Sequence, residues 1–166
     1  MVFTEKNRNM LTKDEEKQLR LQFWSEFDAY SMQRKKRARK PLKWIMNDTG
    51  IRQMKLKFDF DEKRASVGID VETRNFDKRI DVFGKLERLK SKLEKAVGQE
   101  LIWELDYILP NGKSISRVYV ELENVCIYQK DKWPAVTDFF YKNMLSFEKV
   151  FREYKDYLKY SEAEEE

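Results

Sequence analysis

The chain has 166 residues and a net charge of +4, with 34 lysines and arginines against 30 acids. Apolar residues make up 41%, so the low mean hydropathy of −0.81 reflects the 39% of charged residues and not the lack of a core. The absence of histidine excludes Ser-His-Asp and Cys-His nucleophiles.

A single cysteine, Cys126, excludes an intramolecular disulfide and a thiolate zinc site. It suits a reducing, cytoplasmic setting. No window approaches the ~18 consecutive apolar residues of a membrane span, and residues 1–16 lack an apolar stretch of signal-peptide length. No membrane partner and no cofactor are expected.

Residues 1–11 are expected to form a flexible arm. Thr12 and Glu15 have capping-box spacing. Leu19, Phe23, Phe27 and Tyr30 follow at spacings of four, four and three, widened by Trp24. This predicts a helix over about 13–31.

Pro41 disfavours helix at Lys40, and residues 47–50 (NDTG) are turn material. The period then becomes two. Met54, Leu56, Phe58 and Phe60 alternate with Lys55, Lys57 and Asp59. Ala65, Val67, Ile69 and Val71 alternate with Ser66, Gly68, Asp70 and Glu72. Two strands apolar on one face, joined by a short loop, predict an antiparallel hairpin.

Phe76, Ile80, Phe83, Leu86, Leu89, Leu93 and Val97 mark a second helix over 76–97, ended by Gly98. A second hairpin follows. Its first strand is expected to place Leu101, Trp103, Leu105, Tyr107 and Leu109 on one face, and Glu104 and Asp106 on the other. The turn is residues 110–112 (PNG), and Val118, Val120 and Leu122 return inward. Val125 and Ile127 are candidates to extend that strand past an irregularity at Glu123 and Asn124. Asp131 is the expected N-cap of a third helix, with Pro134 near its first turn. Its stripe is Val136, Phe140, Met144, Phe147, Phe151, Tyr154 and Leu158.

The expected fold is α+β with two layers: a four-stranded antiparallel sheet of two hairpins, covered on one face by helices in the order α-β-β-α-β-β-α. Residues 12–160 form this single domain. Residues 161–166 are expected to form a disordered acidic tail.

Several segments resemble bacterial proteins of the domain of unknown function 4268 family. They are QFWSEFDAY, KPLKWI, DVFGKLERLKSKLEKAVGQELIWE, SRVYVEL and WPAVTDFFYKNMLSFEKVFREY, in that order. The resemblance covers residues 19–157. Its most specific pieces are Phe23-Trp24, the long helix leading through Gly98 to Leu101 and Trp103, and Trp133-Pro134 before an aromatic helix. These positions imply a shared fold and no particular chemistry. Some members of that family follow a restriction-endonuclease-like domain, which implies an association with nucleic acid.

Three functions compete. Arg34, Lys35, Lys36, Arg37, Arg39, Lys40 and Lys43 give +7 with no acid between them, while the rest of the chain sums to −3. Concentrated charge is what phosphate neutralisation needs, and Tyr30 and Trp44 flank the run for base stacking. The bland alternative is a solvated connector, its cations favoured by the helix C-terminal dipole. A second reading is a protein-interaction or homodimer module, using surplus aromatics or unpaired sheet edges. A third is a metal-dependent nuclease. Asp70 and Glu72 stand at i,i+2 on one strand with Asp59 beside them, a weak candidate metal set because any half-buried strand alternates acids on its wet face. Cys126 has no neighbouring cation to activate it and is expected to be structural.

Overall fold

The computed structural model describes residues 10–35, 51 and 53–159. The first helix, α1 (Lys13–Lys35), runs five residues past Tyr30, the last residue of its apolar stripe. Thr12 Oγ1 accepts the Glu15 N–H at 3.1 Å, as a capping box requires. The reciprocal contact differs from expectation: the Thr12 hydroxyl donates to the Glu15 carboxylate at 3.1 Å.

Strands β1 (Met54–Phe60) and β2 (Arg64–Val71) form the predicted hairpin. Asp61 Oδ1 fixes its turn by accepting from the N–H groups of Lys63 and Arg64. The long second helix is divided into α2 (Phe76–Arg88) and α3 (Lys90–Val97). The stripe explains the break. Ile80, Phe83, Leu86 and Leu89 recur every three residues, faster than an α-helix turns, and the Leu89 N–H closes a tight turn on the Leu86 carbonyl. Gly98 ends α3 at φ +85°, where only glycine is unstrained.

Strands β3 (Ile102–Ile108) and β4 (Ser114–Glu123) form the second hairpin. A 3₁₀ turn (Lys130–Lys132) leads into α4 (Trp133–Glu153), and α5 (Lys155–Lys159) follows a break at Tyr154. Asp131 lies inside the 3₁₀ turn and does not cap. Lys132 is the N-cap residue, without a side-chain bond, and Pro134 sits in the first turn. Val125 and Ile127 do not extend β4. The chain turns at Asn124, with φ +62°, and both side chains are buried outside the sheet.

The sheet is antiparallel in the order β1-β2-β4-β3, so the hairpins join through β2 and β4. Helices cover one face. Phe27 of α1 meets Phe58 of β1 edge-on, and Phe23 meets Phe60. Phe140 of α4 packs on Phe27, Phe58 and Trp24. Phe83 of α2 packs on Trp103 of β3. The chain is thus the two-layer α+β domain that the alternating periods imply.

One strand departs from simple alternation. Glu104 pairs with Arg117 and Tyr107 with Ile115, so two residues of β3, Leu105 and Asp106, face the single Ser116. This β-bulge reverses the parity of the strand. Tyr107 therefore lies on the open face with Arg117 and Tyr119, not with Trp103 as its spacing predicts. Asp106 turns instead to the helix side and pairs with Arg79 of α2 at 2.8 Å. A second correction concerns the stripe of α2: Phe76 and Ile80, expected in the core, are exposed.

Candidate functional site

Two surfaces carry the residues singled out by sequence. At the C-terminal end of α1, exposed Arg34 lies over Tyr30, 4.4 Å from the ring centroid, and over Tyr141 of α4 at 5.2 Å. The two rings meet edge-on at 5.6 Å. This cation–π contact fixes the plane of a guanidinium that would otherwise swing freely. Tyr30 closes the apolar stripe, as its spacing implies. Lys35 is the last residue of α1, and its side chain lies outside the described residues. So do Lys36, Arg37, Arg39, Lys40, Lys43 and Trp44.

The second surface is the open face of the sheet. Arg117 and Asp70 are direct cross-strand partners in the β2–β4 register. Arg117 Nε donates to Asp70 Oδ1 at 2.6 Å and Nη2 to Oδ2 at 2.8 Å. Nη1 reaches Asp59 Oδ2 at 3.0 Å. Asp59 pairs with Ser66 of β2, two rows along, and the row between is Lys57–Gly68–Tyr119. Arg117 thus crosses a row in which glycine leaves room. The Tyr107 ring, 4.1 Å from the guanidinium carbon, covers it.

Asp70 and Arg117 are almost completely buried, so this is a desolvated ion pair on a nominally wet face. Burial alone would lower the Arg117 pKa. The hydrogen bonds and charges of Asp70 and Asp59 outweigh it and hold the guanidinium above its ordinary value. Burial pushes the Asp59 carboxyl up, only partly offset by Arg117. Further pairs complete the face. Lys55 meets Glu72 at 3.0 Å, Arg64 meets Glu121 at 3.0 Å, and Tyr119 donates to Glu104 at 2.9 Å. For Glu72 the Lys55 contacts overcome the effect of burial and lower its pKa. Burial, then the Glu104 bond, raises that of Tyr119.

The three acids weighed as metal ligands therefore share a face but are spent on cations. A divalent ion at Asp59 and Asp70 would have to displace a guanidinium. Among the described residues, no three His, Cys, Asp or Glu side chains are grouped to hold a metal ion. The face forms a concavity of about 690 Å³ whose lining includes Lys57, Asp59, Glu104, Tyr107, Arg117 and Glu121. Its charges neutralise one another, with acids in slight excess, so it offers little attraction to phosphate.

Sequence reasoning missed Arg117, whose partners are 47 and 58 residues away. The available signal was a lone cation between the β-formers of SRVYVEL. Cys126 is buried as expected, and burial pushes its thiol pKa up, away from nucleophilic character. No described helix is long and apolar enough to cross a membrane.

Comparison with known proteins agrees with the resemblance in the sequence. No curated protein and no solved structure matches the chain. Among protein families, residues 19–155 match the one described as Domain of unknown function (DUF4268). That match runs from within α1 through α4, including both surfaces described above, and the chain belongs to this family.

Proposed function

We propose that the chain is a nucleic-acid-binding accessory module of bacterial cytoplasm, acting by binding and not by catalysis. Phosphate contact is assigned to Arg34, Lys35, Lys36, Arg37, Arg39, Lys40 and Lys43. The observation that carries this reading is the concentration of +7 in ten residues of a chain whose remainder sums to −3. The structure adds two supports. Arg34 is presented at the surface on two tyrosines, whereas Lys55, Arg64 and Arg117 of the sheet face are engaged in internal pairs. A polyanion is therefore drawn to the end of α1 and not to the sheet.

The test is fluorescence anisotropy with labelled single-stranded and duplex oligonucleotides over a salt series. Binding should weaken steeply with salt, and neutralising Arg34, Lys35, Lys36 and Arg37 together should flatten the slope. Binding that ignores the fourfold variant would sink the assignment.

A further inference from the structure

Helices α1 and α4 run side by side in the same direction. The Phe23 and Trp133 rings meet at 5.4 Å, and about two turns further along both helices Tyr30 and Tyr141 meet at 5.6 Å. Between the helices lies a groove of about 600 Å³. The buried rings of Phe23 and Trp133 line its base. Its walls are polar, with Gln22 and Glu26 from α1 and Thr137 and Asp138 from α4.

Gln22, Glu26, Tyr30 and Arg34 recur every four residues and so share one face of α1. Tyr30 serves twice. It lines the groove, and it carries the Arg34 guanidinium 4.4 Å from its ring centroid. The phosphate contact assigned to Arg34 therefore adjoins one end of the groove. At the other end stands Lys130, 5.7 Å from the Trp133 ring centroid. The exposed carboxylates of Glu26 and Asp138, one from each helix, lie between these cations. Gln22 Nε2 donates to Glu26 Oε1 at 2.9 Å and steadies that carboxylate.

We infer that this α1–α4 groove receives an unpaired, amino-bearing base of a single strand, read by Glu26 and Asp138, while the adjoining phosphate lies on Arg34. The inference rests on the nucleic-acid reading above and names its substrate as single-stranded. The order of charges selects that occupant. A phosphate backbone is repelled by the two carboxylates, and a basic peptide is repelled at both ends. A base edge is attracted. Cytosine, adenine and guanine carry amino groups that donate to a carboxylate, whereas thymine presents the O4 acceptor in place of cytosine's amino group. The volume is that of a small-molecule site. It has room for a nucleotide and not for a duplex, and only an unpaired base can leave its neighbours to enter it.

Fluorescence anisotropy of the full chain with labelled oligodeoxycytidine and oligothymidine of equal length tests it. The two strands have the same phosphates, so the basic run alone cannot tell them apart. The cytidine strand should bind about fivefold tighter or more. Glu26→Gln with Asp138→Asn should bring the two affinities within about twofold of each other, and Asp138→Asn alone should narrow the gap in the same direction. Both positions are exposed, so circular dichroism should show native structure in each variant. Carboxylates that merely repelled phosphate would, when neutralised, strengthen both strands equally and leave the ratio unchanged. That result overturns the inference. So does a wild-type chain that binds the two strands equally with a steep salt dependence, which leaves the nucleic-acid reading standing. Binding of neither strand at any salt concentration overturns both.

Discussion

Arg117 and Asp70 face each other across β2 and β4, and Arg117 donates two hydrogen bonds to the Asp70 carboxylate, with each side chain nearly removed from water. A buried pair of this kind is expensive to break and cheap to replace. Asp70→Asn leaves a buried guanidinium with only Asp59 to balance it, and should cost about 3–5 kcal/mol. Arg117→Met should cost a similar amount. The double change Arg117→Met with Asp70→Leu should cost much less than the sum. Urea unfolding of the four proteins measures the coupling, and additive costs would show that the pair contributes nothing as a unit.

Two glycines should respond in opposite directions to alanine. At Gly68 an added Cβ would lie 2.1 Å from the Val118 carbonyl oxygen and 2.6 Å from Tyr119 Cα. Both are backbone atoms of the neighbouring strand, which cannot turn aside. Gly68→Ala should therefore destabilise by about 3 kcal/mol or more. At Gly84, inside α2, a Cβ meets nothing within 4 Å. Gly84→Ala should stabilise by about 0.5–1 kcal/mol. Thermal melts followed by circular dichroism compare them directly.

These two positions also show where sequence carries structure and where it does not. β1 and β2 are legible because Met54–Phe60 and Ala65–Val71 keep period two, and one face of each meets the core. β3 is not, because the bulge at Leu105 and Asp106 shifts the alternation without any glycine or proline to announce it. Phe76 and Ile80 fit a helical stripe, but α2 lies at the edge of the domain, where the stripe overruns the sheet that should cover it. Arg117 was illegible for another reason. Its role depends on two aspartates brought near by strand pairing, and no local pattern encodes that meeting.

Two carboxylates on the open face should give opposite pH dependences. The pKa of Glu72 is lowered from 4.5, so its contribution to stability is present above that value and is lost as pH falls through the depressed folded value. Glu72→Gln should destabilise at pH 7 and lose its effect in acid. Asp59 is raised from 3.8, so its ionisation opposes folding. Its favourable contribution is full below 3.8 and is lost as pH rises through the raised folded value. Asp59→Asn should therefore be neutral or slightly stabilising at pH 7, although the residue touches Arg117. Both groups are partly solvated, so each effect should stay within about 1 kcal/mol. Denaturant midpoints between pH 3 and 7 check the signs.

Cys126 should be inert while the chain is folded. It is buried, and the burial that raises its pKa keeps the thiol protonated near neutrality. At pH 7.5 its alkylation by iodoacetamide should be at least about tenfold slower in the native chain than in denaturant. Equal rates would mean that the segment Val125–Ile127 opens freely, contrary to its place in the core.

The sharpest contrast lies between two arginines held against tyrosine rings in different settings. Arg34 and Arg117 each lie over a tyrosine, at 4.4 and 4.1 Å. Arg117 is saturated by two aspartates, whereas Arg34 is exposed at the end of α1 and begins the basic run. If the chain binds nucleic acid as proposed, Arg34→Gln should reduce the salt slope of binding by about 0.7–0.9, the effect of one lost phosphate contact. Its folding stability should change by less than about 1 kcal/mol. Arg117→Met should do the reverse, lowering stability while leaving the slope of the folded protein unchanged. Anisotropy titrations at several salt concentrations, paired with urea unfolding, separate the two. An unchanged slope in Arg34→Gln would remove this residue from the binding surface, and a changed slope in folded Arg117→Met would move that surface to the sheet.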